Sequence, residues 1–121
     1  MRQLVKTFKA LSDETRLRIL NVIMQRECCV CEVMQTLEIS QTRASRNLNA
    51  LYDAGFLKAM RNGLWVLYSI DKDSLKENYI ALMELVKKEL ADNKIASQDM
   101  QRLEKAERLG PGCLRTANKM A

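Results

Sequence analysis

The sequence predicts a mainly α-helical fold interrupted by a single β-hairpin. Three observations carry this expectation. Apolar residues recur at helical spacing from Leu4 to Leu51. The period then switches to two short strand-like runs around Asn62-Gly63, a strong hairpin signal. One proline in 121 residues, with 29% charged side chains, favours long helices over a β-sandwich or a disordered chain. At 47% hydrophobic the chain can build the limited core of one ordinary domain, or of one domain with a tail.

Leu4, Phe8 and Leu11 give a short first helix. Ser12-Asp13-Glu14 supplies a cap and an acidic first turn for a second helix, lined by Leu17, Leu20, Ile23 and Met24 and ending near Gln25. A third helix covers roughly residues 30 to 37, with Val33, Met34 and Leu37 as apolar positions. After the tight Glu38-Ile39-Ser40 connection, Ser40 caps a fourth helix running to about Asp53. Ala44, Leu48 and Leu51 face inward on it, leaving Gln41, Thr42, Arg43, Ser45, Arg46, Asn47 and Asn49 outside. Gly55 ends the helix as the glycine just past its C-cap.

Strands are expected over 56–60 and 65–70, joined by Arg61-Asn62-Gly63-Leu64. Residues 71 to about 92 return to helix, with Leu75, Tyr79, Leu82, Met83, Val86 and Leu90 forming one apolar stripe. Residues 93–109 are compatible with helix but thinly apolar, and Gly110-Pro111-Gly112 breaks regular structure before a tail. The chain therefore divides into residues 1–92, and a C-terminal helical extension and tail over 93–121 that carries Cys113.

No apolar stretch is long enough to span a bilayer, and Met1-Arg2-Gln3-Leu4 is followed by neither an apolar run nor a cleavage site. The reading is of a cytoplasmic chain with no membrane association. Histidine is absent, which excludes Ser-His-Asp and Cys-His catalysis and every metal site that needs imidazole. Of four cysteines, Cys28, Cys29 and Cys31 lie within four positions, and Cys113 stands apart. That clustering suits metal or redox chemistry in a reducing compartment better than a disulfide framework.

The net charge of +5 is uneven. Residues 40–68 carry Arg43, Arg46, Lys58 and Arg61 against a lone Asp53, whereas charges nearly cancel over residues 71–109. A basic middle points to an anionic partner. Helix, short turn, helix and hairpin is the order of a winged helix-turn-helix, α1-α2-α3-α4-β-β-α5. Its fourth helix would enter the major groove of double-stranded DNA with Ser40, Gln41, Thr42, Arg43, Ser45, Arg46 and Asn47. The helix N-terminus can meet a phosphate, and Arg61 and Asn62 at the hairpin tip can reach the adjacent backbone or minor groove.

At these residues the chain resembles the ArsR family of metalloid- and metal-responsive repressors. The likeness runs through Phe8-Lys9-Ala10-Leu11-Ser12-Asp13-Glu14-Thr15-Arg16-Leu17-Arg18-Ile19-Leu20 and Cys29-Val30-Cys31-Glu32. It continues through Ile39-Ser40-Gln41-Thr42-Arg43-Ala44-Ser45-Arg46-Asn47-Leu48, Ala54-Gly55-Phe56-Leu57 and Arg61-Asn62-Gly63-Leu64-Trp65-Val66-Leu67-Tyr68. Asn47 stands where the family usually has histidine, so a changed contact is expected there. The resemblance implies a homodimer joined through the first and last long helices, and hence a pseudo-palindromic operator. The apolar stripe on residues 75–90 independently suits a second copy.

Cys29 and Cys31 occupy the family's Cys-Val-Cys positions, and the resemblance implies an arsenic sensor released from DNA by As(III) or Sb(III). Three thiolates suit such ions. Met34 stands where the family's arsenic sensors often carry a third cysteine, which leaves Cys28 and Cys113 as candidates for the third ligand. Cys113 could come from either subunit. Residues two apart do not share a helix face, so Cys29 and Cys31 can grip one ion only where the start of the third helix unwinds or is already irregular. A thiol-oxidation or persulfide switch, and cadmium or lead sensing, are alternatives on the same scaffold. A thioredoxin-like enzyme lacks its βαβ context, and a Cys-Cys-x-Cys run is poor spacing for structural zinc. Neither catalysis nor an organic cofactor is expected.

Overall fold

A computed structural model describes residues 1–109. Its elements are α1 (Arg2–Leu11), α2 (Glu14–Gln25), α3 (Val30–Leu37), α4 (Gln41–Asp53), β1 (Lys58–Asn62), β2 (Trp65–Ser69), α5 (Glu77–Leu90) and α6 (Lys94–Lys105). The expected architecture is present, with α6 added at its end. Helix α2 is central, because Ile19, Leu20, Val22 and Ile23 are buried around most of its circumference. Helices α4, α5 and α6 all pack on it. Asp13, rather than Ser12, caps α2 by accepting the Arg16 N–H at 3.0 Å.

The junction from α3 to α4 is tight because Glu38 takes a left-handed conformation (φ 56°) and Ser40 accepts the Arg43 N–H at 3.2 Å. The end of α4 is a Schellman turn, in which Gly55 N–H donates to Tyr52 and Phe56 N–H to Leu51, both at 3.0 Å. Gly55 has φ +92°, and a Cβ there would lie 3.2 Å from the Tyr79 ring, so both backbone and space require glycine. That ring stacks on Phe56 with centroids 4.7 Å apart, locking α5 over the end of α4.

Three boundaries differ from expectation. Strand β1 begins at Lys58, because Phe56 and Leu57 are buried and spent on the core. Arg61 pairs with Val66 and Asn62 with Trp65, so the loop is Gly63-Leu64 rather than the expected four residues 61–64. Gly63 supplies the positive φ (63°) that the first position of a two-residue hairpin loop demands. Helix α5 starts at Glu77, since Asp71 accepts from the Ser74 hydroxyl at 2.8 Å and holds residues 71–76 in a turn.

Helix α6 forms from residues that read as thinly apolar. Asn93 caps it by accepting the Ala96 N–H, and Ala96, Asp99 and Leu103 are buried against α2 and α3. On α1, Leu4 and Phe8 are 56% and 51% exposed, so this face lies largely uncovered in one protomer. No helix among the described residues is long and apolar enough to cross a membrane.

Candidate nucleic-acid interface and thiol site

Helices α3 and α4 with the β1–β2 wing form the winged helix-turn-helix. On α4, Gln41, Thr42, Arg43, Arg46 and Asn49 are exposed and Ser45 is half-buried. Ser40 is exposed while its hydroxyl caps the helix. Arg61 and Asn62 are exposed on the last residues of β1, beside the wing loop.

Asn47 departs from the expected outward position. It is 7% exposed, and its amide donates to the Arg43 carbonyl at 2.8 Å while its oxygen accepts from Arg16 at 3.2 Å. The Arg16 guanidinium also donates to the carbonyls of Ala10 and Lys9, at 2.7 and 3.0 Å. Arg43 is drawn back to donate to the Thr15 hydroxyl at 2.8 Å. Asn47, Arg16, Arg43 and Thr15 therefore brace the DNA-facing helix against α1 and α2. Asn47 sits three residues from Ala44 and one from Leu48, on the margin of the inward stripe, and a margin position is decided by its neighbours.

The thiols separate into two environments. Residue 28 forms an antiparallel bridge with Tyr68, its N–H donating at 3.0 Å and its carbonyl accepting at 2.8 Å. Extended backbone alternates its side chains, so Cys28 and Cys29 face opposite ways. Cys28 is fully buried within the main core, whereas Cys29 and Cys31 cluster with Leu67 and Trp65. Burial, followed by the nearby Glu32 carboxylate, pushes the Cys28 thiol up to about 12. Cys28, a candidate third ligand, is thus placed in the main core cluster, apart from Cys29 and Cys31.

Cys29 is the N-cap of α3, with extended backbone (φ −87°, ψ 173°), and Cys31 is the second residue of the helix. Their sulfurs lie 3.0 Å apart. The start of the helix is thus already irregular in the sense the pair requires, and no unwinding is needed to bring both sulfurs together. Burial pushes the Cys29 thiol up, partly offset by the N–H groups of Glu32 and Cys31 that face its sulfur. Cys113 lies outside the described residues.

Glu32, unassigned from sequence, organises this corner. Its carboxylate is 2% exposed and accepts the Cys29 N–H at 3.0 Å, Arg26 at 2.6 Å and Arg108 at 3.0 Å. Burial alone would raise its pKa; those three donors outweigh it and hold the carboxyl below its ordinary range. Cys29-x-x-Glu32 is a capping box with sulfur in place of a hydroxyl, a signal legible in the sequence. Gln35, Trp65 and Arg108 were also missed, since Gln35 and Trp65 bond residues 107 and 109, and Arg108 bonds Glu32, each far away in the chain. The Gln35 amide donates to the Glu107 carbonyl at 2.7 Å and accepts its N–H at 3.1 Å. The Trp65 indole donates to the Leu109 carbonyl at 3.2 Å.

Residues 13–59 match the family model described as bacterial regulatory protein, arsR family. Over 73 residues the chain is 41% identical to a cadmium resistance transcriptional regulatory protein, a CadC homolog, of Staphylococcus aureus. That match covers 60% of each chain, so it spans less than two thirds of the relative's length. An arsenic resistance transcriptional regulator of Pseudomonas putida is 37% identical over 97 residues, covering 77% of this chain and 84% of that one. Among solved structures, the winged helix-turn-helix domain of a possible ArsR-family transcriptional regulator from Mycobacterium bovis, described as homodimeric, is similar with a TM-score of 0.63. It is 30% identical and the overlap covers 77% of this chain and 82% of that one. These relatives are transcriptional regulators, not enzymes. By sequence, fold and shared extent, the chain belongs to the arsR family of bacterial regulatory proteins.

Proposed function

We propose that the protein is a transcriptional repressor that binds a pseudo-palindromic operator as a homodimer and leaves it when As(III) or Sb(III) is held by Cys29, Cys31 and Cys113. The observation that carries this reading is the sulfur pair at the start of α3, 3.0 Å apart. Two sulfurs on one tetrahedral zinc, with bonds of ~2.3 Å, stand about 3.8 Å apart, so less than 1 Å of spreading lets this pair share an ion. For the third thiolate, Leu109 is anchored beside Trp65. Cys113 follows four positions later in the chain and is the thiol assigned to this role.

Arsenous acid exchanges its three hydroxyls for three thiol sulfurs: As(OH)3 and three RSH give As(SR)3 and three waters. Each thiol proton leaves with an arsenic hydroxyl as water, so the exchange releases no net proton. Holding the Cys29 sulfur on an ion withdraws it from the N–H groups at the start of α3 and weakens the capping box. Helix α3 is the first half of the DNA-binding unit, and an ion that binds its displaced state more tightly shifts the population off DNA. Exposed Leu4, Val5 and Phe8 on α1 and Leu85 on α5 supply apolar surface for the second copy. Exposed Gln41, Thr42 and Arg46, half-buried Ser45, and Arg61 and Asn62 on the wing supply the DNA contacts.

A second reading is a thiol-oxidation switch on the same scaffold, in which peroxide oxidises the clustered cysteines and so displaces α3. Operator-binding anisotropy with arsenite, antimonite, cadmium, zinc and peroxide added separately distinguishes them. Release by arsenite that is lost in Cys29→Ser and Cys31→Ser, and weakened in Cys113→Ser, is the expected result. Wild-type arsenite sensitivity in the first two variants overturns the reading; release by cadmium or peroxide alone replaces it with the corresponding alternative.

A further inference from the structure

We infer that Arg2, Lys6 and Lys9 on α1 form a second DNA contact, a basic ridge that grips the phosphate backbone beside the groove entered by α4. Spaced at i, i+4 and i+7, the three share one side of the helix, and all are exposed. Helix α1 contains no acidic residue. Among the described residues, none of the three takes part in an ion pair. Unpaired surface cations in a row suit a line of phosphates, whose condensed counterions they displace.

The place of the ridge follows from what flanks α4. On one side, the Tyr68 hydroxyl of the wing donates to Asn49 at 3.5 Å. On the other, Arg16 bridges the Asn47 oxygen at 3.2 Å and the Lys9 carbonyl at 3.0 Å. Gln3 and Thr7 bond the Tyr79 hydroxyl at 2.8 and 2.9 Å, which fixes the rotation of α1 about its axis. Lys6 and Lys9 consequently line a hollow against Ala50 and Asp53 of α4. Asp53 is the one carboxylate lining it, against Lys6, Lys9 and Arg16, so the hollow stays basic.

Exposed Thr42, Arg46 and Asn49 run along α4 between these two flanks. A helix about 10–12 Å across nearly fills a major groove about 12 Å wide, so a phosphate strand rises on each side of it. The wing meets one strand, and Lys6 and Lys9 meet the other. Leu4, Val5 and Phe8 continue around α1 from the ridge and are exposed toward a second copy. The two ridges of a dimer therefore lie inside its two wings, facing the centre of the operator. The inference rests on the reading of the chain as a dimeric DNA-binding regulator and is independent of the inducer.

The test is anisotropy of the full chain on a duplex that the protein itself enriches from a random-sequence pool, titrated over a range of salt concentrations. Lys6→Gln with Lys9→Gln keeps both stems and should weaken binding by about tenfold or more. The plot of log affinity against log salt should flatten by about 3–4, which is ~0.9 for each of four phosphates freed across the dimer. Lys6→Arg with Lys9→Arg should keep the affinity and slope of the parent. Lys87→Gln with Lys88→Gln, exposed on the last turn of α5, removes the same charge and should leave the slope unchanged. An unchanged slope in the Lys6 and Lys9 glutamine variant overturns the ridge. So does equal flattening in the α5 variant, which would make net charge the cause, or a loss that arginine fails to restore. A glutamine variant that sediments as a monomer also overturns it, assigning these lysines to the contact between copies. If the parent enriches no duplex, the DNA-binding reading itself falls and the ridge with it.

Discussion

Asp99 accepts two guanidinium N–H groups of Arg18, at 2.7 and 2.9 Å, and this bidentate pair ties α6 to the central helix α2. The carboxylate is 1% exposed and receives a third donor from Arg102 at 3.1 Å. Arg102 in turn donates to the Thr36 carbonyl at 2.6 Å and pairs with Glu38 at 3.1 Å. One buried charge thus connects the C-terminal helix to the helix that carries the sulfur pair.

Removing that carboxylate leaves Arg18 largely buried without its partner. Asp99→Ala should lower stability by about 3 kcal/mol in urea unfolding. The double replacement Asp99→Leu with Arg18→Met should recover more than half of the loss. A wild-type midpoint for Asp99→Ala would mean that α6 lies outside the cooperative unit.

Thr36 carries the only buried side-chain oxygen or nitrogen without a hydrogen-bond partner among the described residues. Thr36→Val keeps the shape and removes the unmet hydroxyl, so it should stabilise by about 1 kcal/mol. Thermal melts read this directly, and a lowered Tm would imply a partner for that hydroxyl.

Two neighbours on α4 should behave oppositely. Asn47→Ala leaves half-buried Arg16 without one partner and should cost about 1–2 kcal/mol of stability, weakening all DNA binding through a loosened helix. Arg46→Ala should melt as wild type and weaken operator binding by ~1–3 kcal/mol through a lost base contact. Arg61→Ala should weaken binding to all sequences evenly and flatten its salt dependence. Equal stabilities for the Asn47 and Arg46 variants would contradict the brace.

The raised Cys29 pKa sets a pH signature. A divalent ion must expel thiol protons, so cadmium affinity should climb as pH rises from 6 to 8, by about tenfold per unit for each proton released. Arsenite exchanges hydroxide for sulfur without net proton release, so its affinity should stay nearly level over that range. Calorimetry in buffers of different ionisation enthalpy measures the protons directly. Matching slopes for the two ions would exclude this chemistry.

Local signals made much of the fold legible. Ser40, the inward Ala44, Leu48 and Leu51 and the closing Gly55 outline α4, because a cap, a 3.6-residue stripe and a left-handed stop are each short-range effects. The hairpin was legible too, although its register was not. Phe56 and Leu57 are strand-formers by composition, yet packing under α5 takes them into the core and moves the strand and its loop along the chain.

The pattern of residues by itself determined the order of helices and wing, and the Cys29-x-Cys31 spacing at a helix start. These depend on neighbours within about four positions. Tertiary structure alone decided that Asn47 turns inward to Arg16, that Cys28 faces the core away from Cys29, and that Asp99 anchors a sparsely apolar α6. It also decided that Glu107 and Leu109 lie against Gln35 and Trp65, 72 and 44 positions away in the chain. Each of these depends on partners distant in sequence, and the burial that gives such contacts their strength exists only once the helices have packed.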